Sequence, residues 1–227
     1  MHKSVLVLAA HPDDEVLGCG GTIAKWVDTG ARVHVAFLAD GVNSRQADAL
    51  TQNAQLLARR AAAQKACSIL GVHSVSFGDF SDNQMDTIPL LVVTQAVEAL
   101  IRIHRPDTVL THHAGDVNID HRRLHEAVVT ACRPQQGHPV KTLLCFEVAS
   151  STEWQLPGSG PIFAPNWFVD ISATLDRKLS ALESYTVELR TWPHPRSLLG
   201  VEHLAHWRGA TVGVDAAEAF ILGRQQA

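Results

Sequence analysis

The stretch Val5-Leu6-Val7-Leu8-Ala9-Ala10-His11-Pro12-Asp13-Asp14-Glu15 decides how this chain is read. Its first six residues are continuously apolar, the pattern of a parallel strand buried on both faces. An imidazole and three acids follow at once, with Pro12 stiffening the turn. So much negative charge on one short loop, at the carboxyl end of a buried strand, is costly unless a positive partner sits there. A divalent cation is the simplest partner, because imidazole nitrogen and carboxylate oxygen are natural zinc ligands. An Asp-Asp pair after a strand also serves as a turn and helix N-cap, where acids are welcome. A second polar loop is needed to choose between these readings.

Working outward, short apolar runs alternate with helical stretches. Gly18, Gly20 and Gly21 lead into a helix over 20–29, a strand follows over 31–38, and a long helix runs from about 51 to 70 with Gly71 as its C-cap. Residues 73–77 read as a third strand, 87–105 as a helix ended by Pro106, 108–111 as a fourth strand and 121–132 as a helix. Strand-like stretches recur at 141–148 and 166–170, then a helix at 172–186 and a final mixed segment. This alternation predicts an α/β fold with a mostly parallel sheet covered on both faces. Ligands of such sheets gather outside the carboxyl ends of the strands, near a switch in strand order. The loops after the first and fourth strands both open there. The Pro- and Gly-rich loop 149–165 reads as an irregular insertion within one domain.

The second loop carries Asp120-His121 at the start of a helix. His11 and Asp14, three residues apart, bind one ion from a turn, and His121 is the best third ligand. Two histidines and a carboxylate leave positions open for water, as in hydrolytic zinc sites. Asp13 is then free to act as general base, and Asp120 to hold a ring nitrogen of a site histidine. Asp116 is a rival ligand without matching spacing. The glycines do not form a dinucleotide-binding fingerprint, since Ile23 stands where the third glycine falls and the carboxylates would repel a pyrophosphate. No GxSxG elbow is present for serine catalysis.

Composition sets the bounds. With 227 residues, 46% hydrophobic and 19% charged, the chain fills one substantial core and is short for two full domains. A net charge of -4 gives no electrostatic case for nucleic acid. Cys19, Cys67, Cys132 and Cys145 form no CxxC pair, which predicts reduced thiols in a cytoplasmic protein. No stretch reads as a signal peptide or a membrane span.

Ala10-His11-Pro12-Asp13-Asp14-Glu15 after the first strand, with Asp120-His121 before a helix, resembles the PIG-L/LmbE-like superfamily of zinc-dependent N-deacetylases. Arg59-Arg60, Ile69-Leu70-Gly71-Val72, the Phe77–Asp86 stretch and Ala217-Glu218-Ala219-Phe220 extend the resemblance through most of the chain. It implies one Rossmann-like three-layer sandwich over residues 1–227, a Zn2+ cofactor held by His11, Asp14 and His121, and Asp13 as general base. The implied substrate is an N-acetylated amino sugar or an N-acetylglucosamine-containing small molecule. Arg59 falls where relatives hold the sugar-linked part of the substrate, and Asp82 near a position that binds sugar hydroxyls. The state of self-association, as monomer or homo-oligomer, is left open.

One departure is informative. Many relatives read His-Pro-Asp-His in the second motif, whose first histidine stabilises the oxyanion; here that position is Asn118, which cannot carry positive charge. His112, His113 and His194 are candidates to replace it, and His194, between two prolines, is expected to reach the site. Catalysis is thus assigned to Asp13, Asp120 and His194, and substrate contact to Arg59, Asp82 and Asn118. Loops 41–50, 79–86 and 149–165 are expected to form the rim. Two other classes stay in play, a metal-dependent phosphoesterase and a catalytically weakened sugar-binding module.

Overall fold

The computed structural model describes residues 3–41 and 49–226. The part of the expected rim at 42–48 lies outside the described residues. At the centre is strand β1 (Ser4–Ala9), buried throughout, paired in parallel on one side with β2 (Arg32–Ala39) and on the other with β4 (Thr108–His112). β3 (Ser74–Phe80) continues the parallel sheet beyond β2, and β5 (Thr142–Phe146) beyond β4. The order is β3-β2-β1-β4-β5-β7-β6, with β6 at Trp167–Asp170 and β7 at Ala217–Gln225 antiparallel to both its neighbours. The expected mostly parallel α/β sandwich is therefore present. Its last strand slips between the fifth and sixth against the parallel grain.

The alternation of side chains along β1 explains the three layers. Val5, Val7 and Ala9 enter one core, against α1 (Asp14–Asp28), α2 (Ala49–Leu70), α5 (Leu175–Leu182) and α6 (Leu198–Ala210). Leu6, Leu8 and Ala10 enter a second core, against α3 (Leu90–His104) and α4 (Ile119–Ala131). A strand feeding two cores needs apolar residues at every position, which is why its run is unbroken. From β1 the chain winds outward to β3, then returns to add β4 on the other side. The strand order reverses between β1 and β4, so the loops after both open into one crevice.

Three elements differ from the sequence expectation. α1 starts at Asp14 instead of near 20, so Gly18, Gly20 and Gly21 lie inside it, with a break at Cys19 (φ -150°). These glycines serve packing: a Cβ on Gly18 would come within 2.3 Å of the Phe146 ring, and one on Gly21 within 2.7 Å of Ile171. The break exposes the amides of Gly21 and Thr22, which donate to the Glu218 carboxylate of β7 at 2.9 and 2.7 Å. Lys178 pairs with the same carboxylate in the core. The helix expected to run to 186 stops at Leu182, and an irregular segment follows until Ser197 caps α6 through a bond from the Gly200 amide. The final mixed segment resolves into α6 and β7. No described helix is long and apolar enough to cross a membrane.

Candidate active site

A cavity of about 610 Å³ opens at the carboxyl ends of β1 and β4. His11, Asp13 and Asp14 reach it from the β1–α1 turn, and Asn118 and His121 from the start of α4. His11 Nδ1 lies 3.4 Å and His121 Nε2 3.3 Å from Asp14 Oδ2, and the three side chains converge as one metal-holding group. The other nitrogen of each imidazole is held by a carboxylate. Asp120 Oδ2 is 2.9 Å from His11 Nε2, and Asp116 Oδ1 is 3.2 Å from His121 Nδ1.

Those two carboxylates are themselves fixed. Asp120 accepts the amides of Asn83 and Met85 at 2.7 and 2.9 Å. Asp116 accepts the Ser151 hydroxyl, the Thr152 hydroxyl at 2.7 Å and the Asn118 amide at 2.8 Å. A ligand histidine whose second nitrogen is held by a carboxylate has a fixed ring orientation and greater basicity, the arrangement that metal sites favour. The donor set therefore fits a zinc-like cation. Asp116 is no rival ligand; its carboxylate is spent on His121.

Charge tells the same story. Burial opposes charge on His121, but Asp14 and Asp116 outweigh it and lift its pKa to about 9. Burial likewise opposes charge on Asp14, yet the charge of His121 and the hydrogen bonds of His11 and His121 hold its carboxyl well below the usual range. His112 stays neutral: burial and the His121 charge push its pKa down, and its Nε2 accepts the Ala10 amide at 2.8 Å. Carboxylates outnumber cations here, a field that a divalent ion balances.

Asp13 stands apart from the convergent group. Its backbone is left-handed (φ 115°, ψ -26°), rare for a side-chain-bearing residue, and its carboxylate makes no capping bond to α1. Burial pushes its pKa up to about 6, against the lowering effect of Arg196, whose Nη1 donates to Oδ2 at 3.2 Å. Arg196 is the cationic residue that sequence reasoning passed over. It sits in the very stretch from which His194 was chosen. His194 does not line the cavity: its Nδ1 accepts the Arg196 amide at 3.0 Å and its ring stands edge-on to Trp154. His113 points elsewhere too, to the Pro161 carbonyl.

The remaining expected residues are placed as follows. Asn118 is the N-cap of α4, its Oδ1 accepting the Asp120 amide at 2.8 Å, while Nδ2 reaches Asn83 at 3.1 Å. Arg59 lines the cavity, paired with Glu188 at 3.0 Å and donating to the Gly41 and Pro12 carbonyls. Asp82 is buried with Oδ1 3.1 Å from His11 Nε2, nearer the metal-holding group than a sugar contact requires.

Comparison with known proteins adds an independent line. Residues 6–132 match the family described as PIG-L, GlcNAc-PI de-N-acetylase, which is more than half of the chain. A diacetylchitobiose deacetylase of Thermococcus kodakarensis is 30% identical over 196 residues, covering 81% of this chain and 69% of that one. A 4-oxalmesaconate hydratase of Pseudomonas putida is 27% identical, covering 85% and 76%. In fold, the chain is similar to the N,N'-diacetylchitobiose deacetylase of Pyrococcus horikoshii, with a TM-score of 0.79 at 20% identity, over 98% of this chain and 84% of that one. On the extent of the family match and the 30% relative, with the metal-holding group at the carboxyl edge of the sheet, the chain belongs to the PIG-L family.

Proposed function

We propose that this protein is a zinc-dependent N-deacetylase of the cytoplasm, one domain over residues 1–227, that hydrolyses the acetamide of an N-acetylglucosamine-containing small molecule. The observation that carries the reading is the convergence of His11, Asp14 and His121 beside a buried carboxylate, Asp13, that is not part of their group. His11, Asp14 and His121 would hold the ion. Bound there, it supplies the Lewis acidity that activates water and polarises an amide carbonyl. Asp13 takes the proton from the attacking water as the C–O bond forms. It then returns that proton to the sugar nitrogen as the C–N bond breaks, leaving acetate and the free amine.

Asp120 and Asp116 keep the two imidazoles in the ligating orientation. Arg59, Asn118 and Trp154 line the cavity where a sugar would lie, Trp154 offering an exposed aromatic face and Arg59 a fixed donor. The diacetylchitobiose deacetylases among the relatives support this reading, and the hydratase among them marks the alternative.

The test is metal content together with acetate release from a panel that includes N-acetylglucosamine and N,N'-diacetylchitobiose, for native protein and Asp13→Asn. One zinc per chain, acetate from native protein and none from the variant is the expected result. Zinc without acetate from any sugar redirects the search to phosphoesters, to alkene hydration or to sugar binding alone. Absence of bound metal overturns the site.

A further inference from the structure

Three of the four described non-glycine residues with left-handed backbone lie at the active site: Asp13 (φ 115°), Asn83 (φ 56°) and Ser150 (φ 66°). Backbone of this kind persists only where its surroundings over-determine it. For Asp13 the surroundings come from the irregular segment between α5 and α6. At the backbone end, the Asp13 amide donates to Glu15 Oε2 at 3.0 Å, and the Tyr185 hydroxyl donates to the other oxygen of Glu15 at 2.6 Å. At the side-chain end, Arg196 Nη1 donates to Asp13 Oδ2. Among the described residues this is the carboxylate's only hydrogen bond.

Arg196 does not swing freely. Its Nε donates to Ser150 Oγ at 3.0 Å, its Nη1 lies 3.7 Å from Glu188 Oε2, and Glu188 is tied to Arg59. One guanidinium thus joins the carboxylate of one left-handed residue to the hydroxyl of another. The planar fork of arginine is suited to holding two acceptors at fixed angles, which a lysine ammonium is not. Asn118, the N-cap of α4 in the wall of the same cavity, spends its carbonyl oxygen capping the helix.

We propose that Arg196 is a positioning residue for the reaction, fixing the Asp13 carboxylate in the one orientation from which it can address the attacking water. The assignment rests on Asp13 being the base, as proposed above. A displaced base loses rate without losing substrate, since misplacement by about 1 Å costs on the order of 100-fold.

The experiment compares Arg196→Ala, Arg196→Gln and Arg196→Lys with native enzyme, using the N-acetylated sugar that native enzyme turns over best. Expected in the Ala and Gln variants is a kcat reduced about 10- to 100-fold with KM within about twofold and zinc content unchanged. Guanidinium ion at non-denaturing concentration should restore part of the loss in Arg196→Ala, and Arg196→Lys should retain an intermediate rate. Crystal structures of the variants should show Asp13 out of its left-handed conformation or its carboxylate displaced. A raised KM with native kcat overturns the proposal, because Arg196 would then be a substrate contact. So does Asp13 unmoved in both Ala and Gln variants. Should native enzyme release no acetate from any sugar, the deacetylase reading falls, while the variant structures still decide whether Arg196 holds Asp13.

Discussion

The two halves of the site are built by opposite means. The turns after β1 and β4 hold His11, Asp14 and His121 on rigid elements at the reversal of strand order, with each imidazole braced by a buried carboxylate. The segment between α5 and α6 has no regular structure, yet it sends Tyr185, Glu188 and Arg196 into the same cavity. The first half fixes its groups by short bonds to backbone amides, the second by long side chains tied to one another. A metal needs the first kind of precision, and a proton-transferring group can be supplied by either. The proposed ligands sit on the regular scaffold, and the proposed base is steered from both sides.

The largest break in this comparison comes at the base. Asp13→Asn should lower turnover by about 10² to 10⁴-fold while zinc stays bound, and an active variant would remove Asp13 from the mechanism. Next, Asp116→Asn tests the rigid half: His121 keeps its place in sequence but loses its brace, and zinc affinity should fall about 10- to 100-fold in a competitive chelator titration. Unchanged affinity would mean that Asp116 does not orient the ligand. Glu188→Gln tests the other half by loosening Arg59 and Arg196 together. Because Glu188 is buried and both arginines are mostly so, the cost to stability should be about 3 kcal/mol by denaturant unfolding, with zinc affinity untouched.

The smallest effect lies far from either half, near the amino ends of the strands. There His34 stacks on His104 with centroids 4.1 Å apart and bonds Ser74 Oγ through Nδ1 at 2.7 Å. Burial, then the charges of His104 and His73, bring its pKa down to about 4, against about 6.5 in the unfolded chain. Between those values the unfolded chain binds a proton that the folded chain refuses. Stability present above about pH 6.5 is therefore lost as the pH falls toward 4. His34→Asn should flatten the slope of unfolding free energy over that window, and a slope equal to that of native protein would exclude His34 as its source.

The legibility of the sequence follows the same division. His11, Asp13 and Asp14 sit within four residues after an unmistakable apolar run, so their chemistry is local and readable. His121 is readable because its loop must open at the same sheet edge as theirs. Arg196 is 183 residues from Asp13, in a stretch with no periodicity to say which side chain turns inward. Chemistry alone favoured the neighbouring imidazole of His194, and the fold turns that ring back against its own loop. Asp116 and Asp120 look alike on paper as acids near His121. Only the tertiary path, which brings Asn83 and Met85 over one and Ser151 and Thr152 over the other, assigns each to a different histidine. The early start of α1 was hidden by glycines that read as a turn and serve instead as clearance for Phe146 and Ile171.

The bond from Glu218 to the broken middle of α1 has a consequence in the order of synthesis. The ribosome delivers the turn of His11 and Asp14 early, but the amides of Gly21 and Thr22 get their acceptor almost two hundred residues later. Arg196, which holds Asp13, also emerges after eleven of the thirteen helices and strands are complete. A nascent chain would thus carry its ligands long before it carries a finished site, and the first helix would be sealed by the last strand to leave the tunnel.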